Sequence, residues 1–242
     1  MTMSKFRVAP RIGHMKRVKR IFSYLSRYKE GTIRYRTEIP DYSSLENVTY
    51  DWEKSTYGKV SEDLPHDLIT PLGKPVLLTT YVDANLMHDV MNGKSVTGIL
   101  HFFNKTPIEW FTRKQTSVQT ATFGSEFVAA RTATEQTMEM RHMLRYLGVP
   151  IMGSTYLFGD NKSVVDSCSI PHGKIHKRHV ILSYHRVREA IAAKIIRFLH
   201  IFGDSNPADI MSKAWGQQQV RHLLRPLLFW EGDTMDCVDL YG

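Results

Sequence analysis

The stretch "PVLLTTYVDAN" (75–85) decides the fold. Its first nine residues run through apolar and β-branched side chains and finish on Asp83, the texture of a buried strand. An acidic residue at the tip of a strand is ordinarily a turn former. It gains chemical meaning only if other carboxylates arrive at the same edge. Downstream, "SVTGILHFF" (95–103) and "PIEWFTRK" (107–114) read as two further strands. The breaks "MNGK" and "NKTP" are short and turn-rich, so these two strands pair as antiparallel neighbours. A helix then spans about Thr122 to Leu147, with Phe123, Phe127, Ala130, Ala133, Thr137, Met140, Leu144 and Leu147 at steps of three and four, and Gly148 and Pro150 stop it.

"IMGSTYLFGD" (151–160) forms a fourth strand with Asp160 at its end, and "NKSVVDSCS" (161–169) a short helix. A further helix covers about Arg178 to Ala193 through Val180, Tyr184, Val187 and Ile191. "IIRFLHIF" (195–202) alternates as a fifth strand, and "NPADIMSKAW" (206–215) opens a last helix with Pro207 in its first turn. The order describes an α/β fold: a mixed five-stranded sheet flanked by helices, with a right-handed crossover from the first strand to the fourth.

The chain has 242 residues, 42% apolar and 23% charged, which is ordinary for a globular protein with a sizeable core. No apolar run approaches a membrane span, and the first residues lack a signal-peptide core. Cys168 and Cys237 show neither metal spacing nor a disulfide framework. An intracellular, reducing compartment is expected, cytoplasm and nucleus being equivalent on this ground. The net charge of +8 is uneven: residues 1–36 hold eleven Lys/Arg and one Glu, so the remainder is slightly acidic. Residues 171–200 form a second basic region with seven Lys/Arg, one Glu and five histidines. Two basic patches on a near-neutral body suit a polyanionic partner such as nucleic acid.

Four segments result. Residues 1–38 are a basic helical segment with Met15, Val18, Phe22 and Leu25 on one face. Residues 39–74 are a connector, rich in Pro and acidic residues, with a strand near "NVTYDW" (47–52). Residues 75–214 make the α/β domain, and 215–242 are a tail with an apolar helical period.

Asp83 and Asp160 end strands one and four, whose C-terminal ends share an edge if the two are parallel neighbours. Glu126 lies in the first turn of the long helix and Asp209 in that of the last, and helix N-termini favour negative charge. Singly, each has a bland reading as a cap or a turn residue. Together, four converging carboxylates repel unless cations sit among them, and hard divalent ions with oxygen ligands suit such a site.

The motifs "YVDAN", "KSVTGILHFFNKTPIEWFTRKQTSVQTATFGSEFVAARTATEQTMEMRHMLRYLG", "YLFGDNKSVVDS", "HKRHVILSYHRVREAI" and "NPADIMSK" together resemble the ribonuclease H domain of copia-type LTR retrotransposon Pol polyproteins. The likeness covers roughly Tyr81 to Lys213 in order and spacing. "MSKFRVAPRIGHMKRVKRIFSYL" resembles, less specifically, the end of the reverse transcriptase thumb and connection, while a polymerase Tyr-x-Asp-Asp motif is absent from this sequence. The resemblance implies a ribonuclease H-like sheet and metal-dependent hydrolysis of the RNA strand of RNA–DNA hybrids with two Mg²⁺ ions, or Mn²⁺. It implies that Asp83 bridges both ions, Glu126 and Asp160 hold the leaving-side ion, and Asp209 helps hold the ion that activates water. Partners are then the hybrid and the missing reverse transcriptase subdomains, with no membrane.

For phosphate contacts, the basic run supplies Lys174, Lys177, Arg178 and His179, and a turn near the active edge supplies Gln115 and Thr116. Trp110 reads as core. The loop before Asp209 is short, so His200 reads as a structural strand residue and not as the mobile His of cellular relatives. A non-catalytic nucleic-acid-binding remnant is the alternative reading. A transposase or integrase on the same sheet is disfavoured, because those enzymes usually take their last acidic ligand, commonly Glu, from a later helix.

Overall fold

The computed structural model describes residues 7–229, apart from 30, 34, 46, 47, 49, 65, 174, 176 and 177 and the side chains of His179, Gln217, Gln218 and Phe229. Strands β2 (Leu78–Asp89), β3 (Lys94–Phe103) and β4 (Thr106–Val118) form an antiparallel meander. Strands β5 (Thr155–Gly159) and β6 (Ile196–His200) continue the sheet in parallel on the β2 side, giving the order β4-β3-β2-β5-β6. This is the mixed five-stranded sheet flanked by helices that the order of elements implies. Helix α2 (Thr122–Tyr146) crosses one face, joined there by α3 (Lys162–Ser169) and α4 (Ile181–Ala192).

The period-2 alternation of β2 splits its side chains between two cores. Val82 and Ala84 pack with Ile99 and Phe127 toward the helices, whereas Tyr81 packs with Leu100, Phe102 and Phe158 on the other face. That second face is covered by Tyr42 and Leu45 of the connector, by Ala208 and Met211, and by Leu227. A sheet buried on both faces explains why its central strands read as continuous apolar runs.

Strand β2 does not end at Asp83; it runs on to Asp89 because β3 stays paired with it after β5 has stopped. Trp110 is not core: it lies on edge strand β4 and is 58% exposed. The described residues of 47–52 form no strand. The helix expected after Pro207, α5 (Asp209–Ser212), is a single turn. Helix α1 (Ile12–Arg27) forms as read, but its apolar face, including Met15, Phe22 and Leu25, is exposed. The tail supplies α6 (Gln217–Leu224) and β7 (Leu228–Phe229), and β7 pairs antiparallel with β1 (Thr32–Ile33), a ladder that the sequence does not announce. No helix among the described residues is long and apolar enough to cross a membrane.

The connector is fixed to the domain by buried polar chemistry. Arg188 lies almost fully buried, donates through Nη1 to the carbonyls of Ser167 and Ile170, and sits over the rings of Trp52 and Tyr184. Glu62 accepts a bidentate pair of hydrogen bonds from Arg141, at 2.9 Å each, and further bonds from Arg145. Burial raises the Glu62 pKa, but the hydrogen bonds and charges of Arg141 and Arg145 outweigh it and hold the carboxyl at about 2. Glu62→Gln leaves the 4%-exposed Arg141 without its counter-charge. We expect a loss of about 3 kcal/mol in urea unfolding. The wild-type contribution should be present above the ordinary carboxylate pKa and vanish as pH falls towards 2.

Candidate metal centre

The backbone brings the first two carboxylates together. Pairing of β2 with β5 stops at Val82↔Gly159, so Asp83 and Asp160 are the next residues on adjacent parallel strands. Beyond Asp160 the chain turns into α3, where Asn161 Oδ1 accepts the Val164 N–H. The Asp160 carbonyl lies 3.1 Å from His200 Nε2, which gives His200 a positioning contact at the end of β6.

Glu126 arrives from the first turns of α2, on the helix-covered face. Gln115 helps set that helix: its Nε2 donates to Thr97 Oγ1 and to the Ser125 carbonyl. Asp83, Glu126 and Asp160 each present an oxygen within 4.8 Å of the others.

Asp209 reaches the same edge through the loop after β6. Asn206 is fully buried; its Nδ2 donates to the Val82 carbonyl at 3.0 Å and its Oδ1 accepts the Ala208 N–H. That amide ties the start of α5 to the residue before Asp83. Gly98 of β3 lets α5 lie close: a Cβ there would stand 2.7 Å from Met211 Cβ and 2.8 Å from the Ala208 carbonyl. The C-terminal side of α5 is fastened by Trp215 Nε1 and the Lys213 N–H, both donating to the Asp209 carbonyl, and by Thr112 Oγ1 donating to that of Met211.

Two residues beside Asp209 also reach Asp83. Ser212 Oγ donates to Asp83 Oδ2. Lys213 Nζ lies 2.6 Å from Asp209 Oδ1 and 3.5 Å from Asp83 Oδ1. Neither residue stands out in the sequence, where "MSK" reads as part of the helix that "NPADIMSKAW" opens. Asn206 has a signal, an Asn-Pro pair ahead of a helix, but not one that points to a backbone carbonyl of a distant strand.

Charge is held here against repulsion. Burial, then the neighbouring Asp83 and Asp160, push the Glu126 pKa well up. Burial and Asp83 raise Asp160 likewise. Burial and Asp83 lift Asp209 to about 7 despite Lys213. Burial lowers the Lys213 pKa, but Asp209, Asp83 and Asp160 reverse that and raise it. Carboxyls whose pKa values are pushed up by burial and by one another's charge form a set of oxygen donors that fits a hard divalent ion.

The residues read as phosphate contacts fare differently. Gln115 is no turn residue: it is buried within β4 and its amide is committed to Thr97 and Ser125, so it positions α2 and does not face solvent. Thr116, also in β4, is exposed. Arg178 is exposed at the start of the 3₁₀ turn before α4. Lys174 and Lys177 lie outside the described residues, as does the side chain of His179.

A comparison with models of known protein families finds no match. Among curated proteins the chain is similar to the retrovirus-related Pol polyprotein from transposon TNT 1-94 of Nicotiana tabacum, 28% identical over 141 residues, 58% of this chain and 10% of that protein. It is also similar to the Pol polyprotein from transposon RE2 of Arabidopsis thaliana, 22% identical over 148 residues, again 10% of that protein. The chain thus spans about a tenth of the length of the curated relatives it matches. They are retrovirus-related Pol polyproteins of plant transposons, the kind to which the motifs point. Among solved structures it is similar to the N-terminal RNase H domain of rv2228c from Mycobacterium tuberculosis, with a TM-score of 0.45, 13% identity and coverage of 57% of this chain and 91% of that one. RNase H1 from Halobacterium salinarum NRC-1 gives 0.44, 14%, 56% and 93%.

Proposed function

We propose that this chain is the ribonuclease H domain of a copia-type retrotransposon Pol polyprotein, a divalent-metal-dependent endonuclease that hydrolyses the RNA strand of RNA–DNA hybrids. The observation that carries the reading is the convergence of Asp83, Glu126 and Asp160 at one sheet edge, with Asp209 beside them. When bound there, Mg²⁺ or Mn²⁺ supplies an activated water and charge neutralisation at the scissile phosphodiester. The chain's part is to aim four carboxylates from four elements and to hold them away from bulk water. Arg178 and Thr116, both exposed, are the proposed contacts to the nucleic-acid backbone, with Lys174, Lys177 and His179 in the same basic run as Arg178. RNA is told from DNA on such a surface by its 2′-hydroxyls and groove shape.

The test is cleavage of a labelled RNA–DNA hybrid in Mg²⁺, beside single-stranded RNA and duplex DNA of the same sequence. Selective cutting of the RNA strand in the hybrid is expected. Binding of the hybrid with no cleavage in either metal would identify the chain as a non-catalytic remnant instead.

The N-terminal basic segment extends this reading. Its net charge of +10 contrasts with a body that is otherwise slightly acidic, and every described residue of α1 is at least partly exposed. If the segment follows the hybrid backbone, deleting residues 1–36 should flatten the dependence of log affinity on log salt by several units. Each phosphate that the segment neutralises accounts for about 0.9 of that slope. Turnover at saturating hybrid should persist. An unchanged slope would assign the binding to the basic run around Arg178.

A further inference from the structure

The acidic site holds a cation of its own. Lys213 is half-buried and its ammonium lies between Asp209 Oδ1 at 2.6 Å and Asp83 Oδ1 at 3.5 Å. Its position is built, not incidental. The Lys213 N–H and Trp215 Nε1 both bind the Asp209 carbonyl, Ser212 Oγ binds Asp83, and Asn85 Nδ2 donates to the Ser212 carbonyl. The extended backbone at Lys213 ends α5 and leaves its long side chain lying back over the carboxylates.

The two halves of the site are therefore unequal. Asp83, Glu126 and Asp160 present three oxygens near one another, and among the described residues the only side-chain ammonium paired with any of them is the one at Asp83. Asp83 and Asp209, the pair that would hold a second ion, already share that ammonium. A magnesium ion binds carboxylate oxygens at about 2.0–2.1 Å, so an ion bridging these two would displace Nζ from the place it occupies. An ammonium supplies charge and hydrogen bonds, but it cannot deliver an activated water.

We propose that Lys213 is the resident cation of the Asp83–Asp209 side. The chain takes one divalent ion tightly at Asp83, Glu126 and Asp160, and admits a second only when the Lys213 ammonium swings away. The inference rests on the metal-nuclease reading of the site. A nucleic-acid phosphate arriving there offers the displaced ammonium another anion, so occupancy of the second position is tied to the presence of substrate. Lys213 thus acts as a gate on the second ion.

Mn²⁺ binding to the full chain, without nucleic acid, tests this by counting bound ions with electron paramagnetic resonance and measuring affinities by calorimetry. The wild type should bind one ion tightly and a second at least tenfold more weakly. Lys213→Gln should strengthen the second event by at least tenfold while leaving the first in place. Lys213→Arg, which keeps the charge, should resemble the wild type, and unchanged melting curves check that both variants fold. Identical two-ion isotherms for the wild type and Lys213→Gln overturn the inference, while hybrid cleavage by the wild type would leave the proposed function standing. A wild type that binds no ion and cuts no hybrid overturns both.

Discussion

Asp83→Asn should abolish hybrid cleavage while making the metal-free protein more stable, and Asp160→Asn should behave in the same way. The two effects share one cause. Asp83 is 1% exposed and its charge raises the pKa of Glu126, Asp160 and Asp209. Replacing it with a neutral amide removes that repulsion and, with it, an oxygen that the chemistry needs. A gain of about 1 kcal/mol in a chain of this size appears as roughly 2–4 °C in the melting temperature. The gain should show in EDTA near pH 8.

The pH dependence of the wild type follows from the direction of these shifts. Asp209 has a folded pKa of about 7, above its unfolded value, so its favourable contribution is complete in acid and is lost as pH rises to about 7. Metal-free protein should therefore weaken between about pH 4 and pH 7 on account of this cluster, and divalent ions should restore stability above that range. Retained turnover in Asp83→Asn, or a melting temperature indifferent to metal at pH 8, would remove the support for the metal centre.

The second large effect concerns a residue with no functional group. Gly98→Ala should destabilise the fold by about 1–3 kcal/mol, the range for overpacking a filled interior. It should also cut cleavage about a hundredfold, because an active group displaced by about 1 Å can cost that much. The new methyl would meet Met211 Cβ, the Ala208 carbonyl and the Ser212 N–H within 2.9 Å, all on or beside α5 and none a flexible side-chain end. Only a shift of α5 relieves the clash, and α5 carries Asp209. The Mg²⁺ concentration giving half-maximal rate should rise in parallel. A variant that loses stability yet keeps its metal dependence would show that α5 yields without moving Asp209.

How much of this can be read in the chain itself depends on how local each determinant is. The strands at 95–103 and 107–114 and the long helix declare themselves through short turns and a three-four period, and these need only neighbours in sequence. Asp83 reads as a strand end because apolarity stops there; the strand continues because β3 keeps its hydrogen bonds to it as far as Asp89. Gln115 reads as a polar turn residue because its partners, Thr97 and Ser125, come from another strand and from the next helix. Lys213 is invisible as a site residue for the same reason: its meaning lies in Asp83, far earlier in the chain. The connector gives no sign that Trp52, Tyr57 and Glu62 cover buried arginines, since aromatic and acidic residues in a Pro-rich stretch match a solvated linker equally well.

The small ladder of β1 with β7 joins Thr32–Ile33 to Leu228–Phe229, nearly the full described span apart. Pairings of such separation close the largest loop available and come late in folding, because their entropic cost is met only after the intervening sheet has formed. During synthesis the meander and α2 can assemble as soon as they emerge, whereas this ladder must wait for Leu228 and Phe229. It is a mark of completion: amide protons of residues 32–33 should gain protection from exchange only in chains extended past Phe229, which distinguishes a finished domain from one still being made.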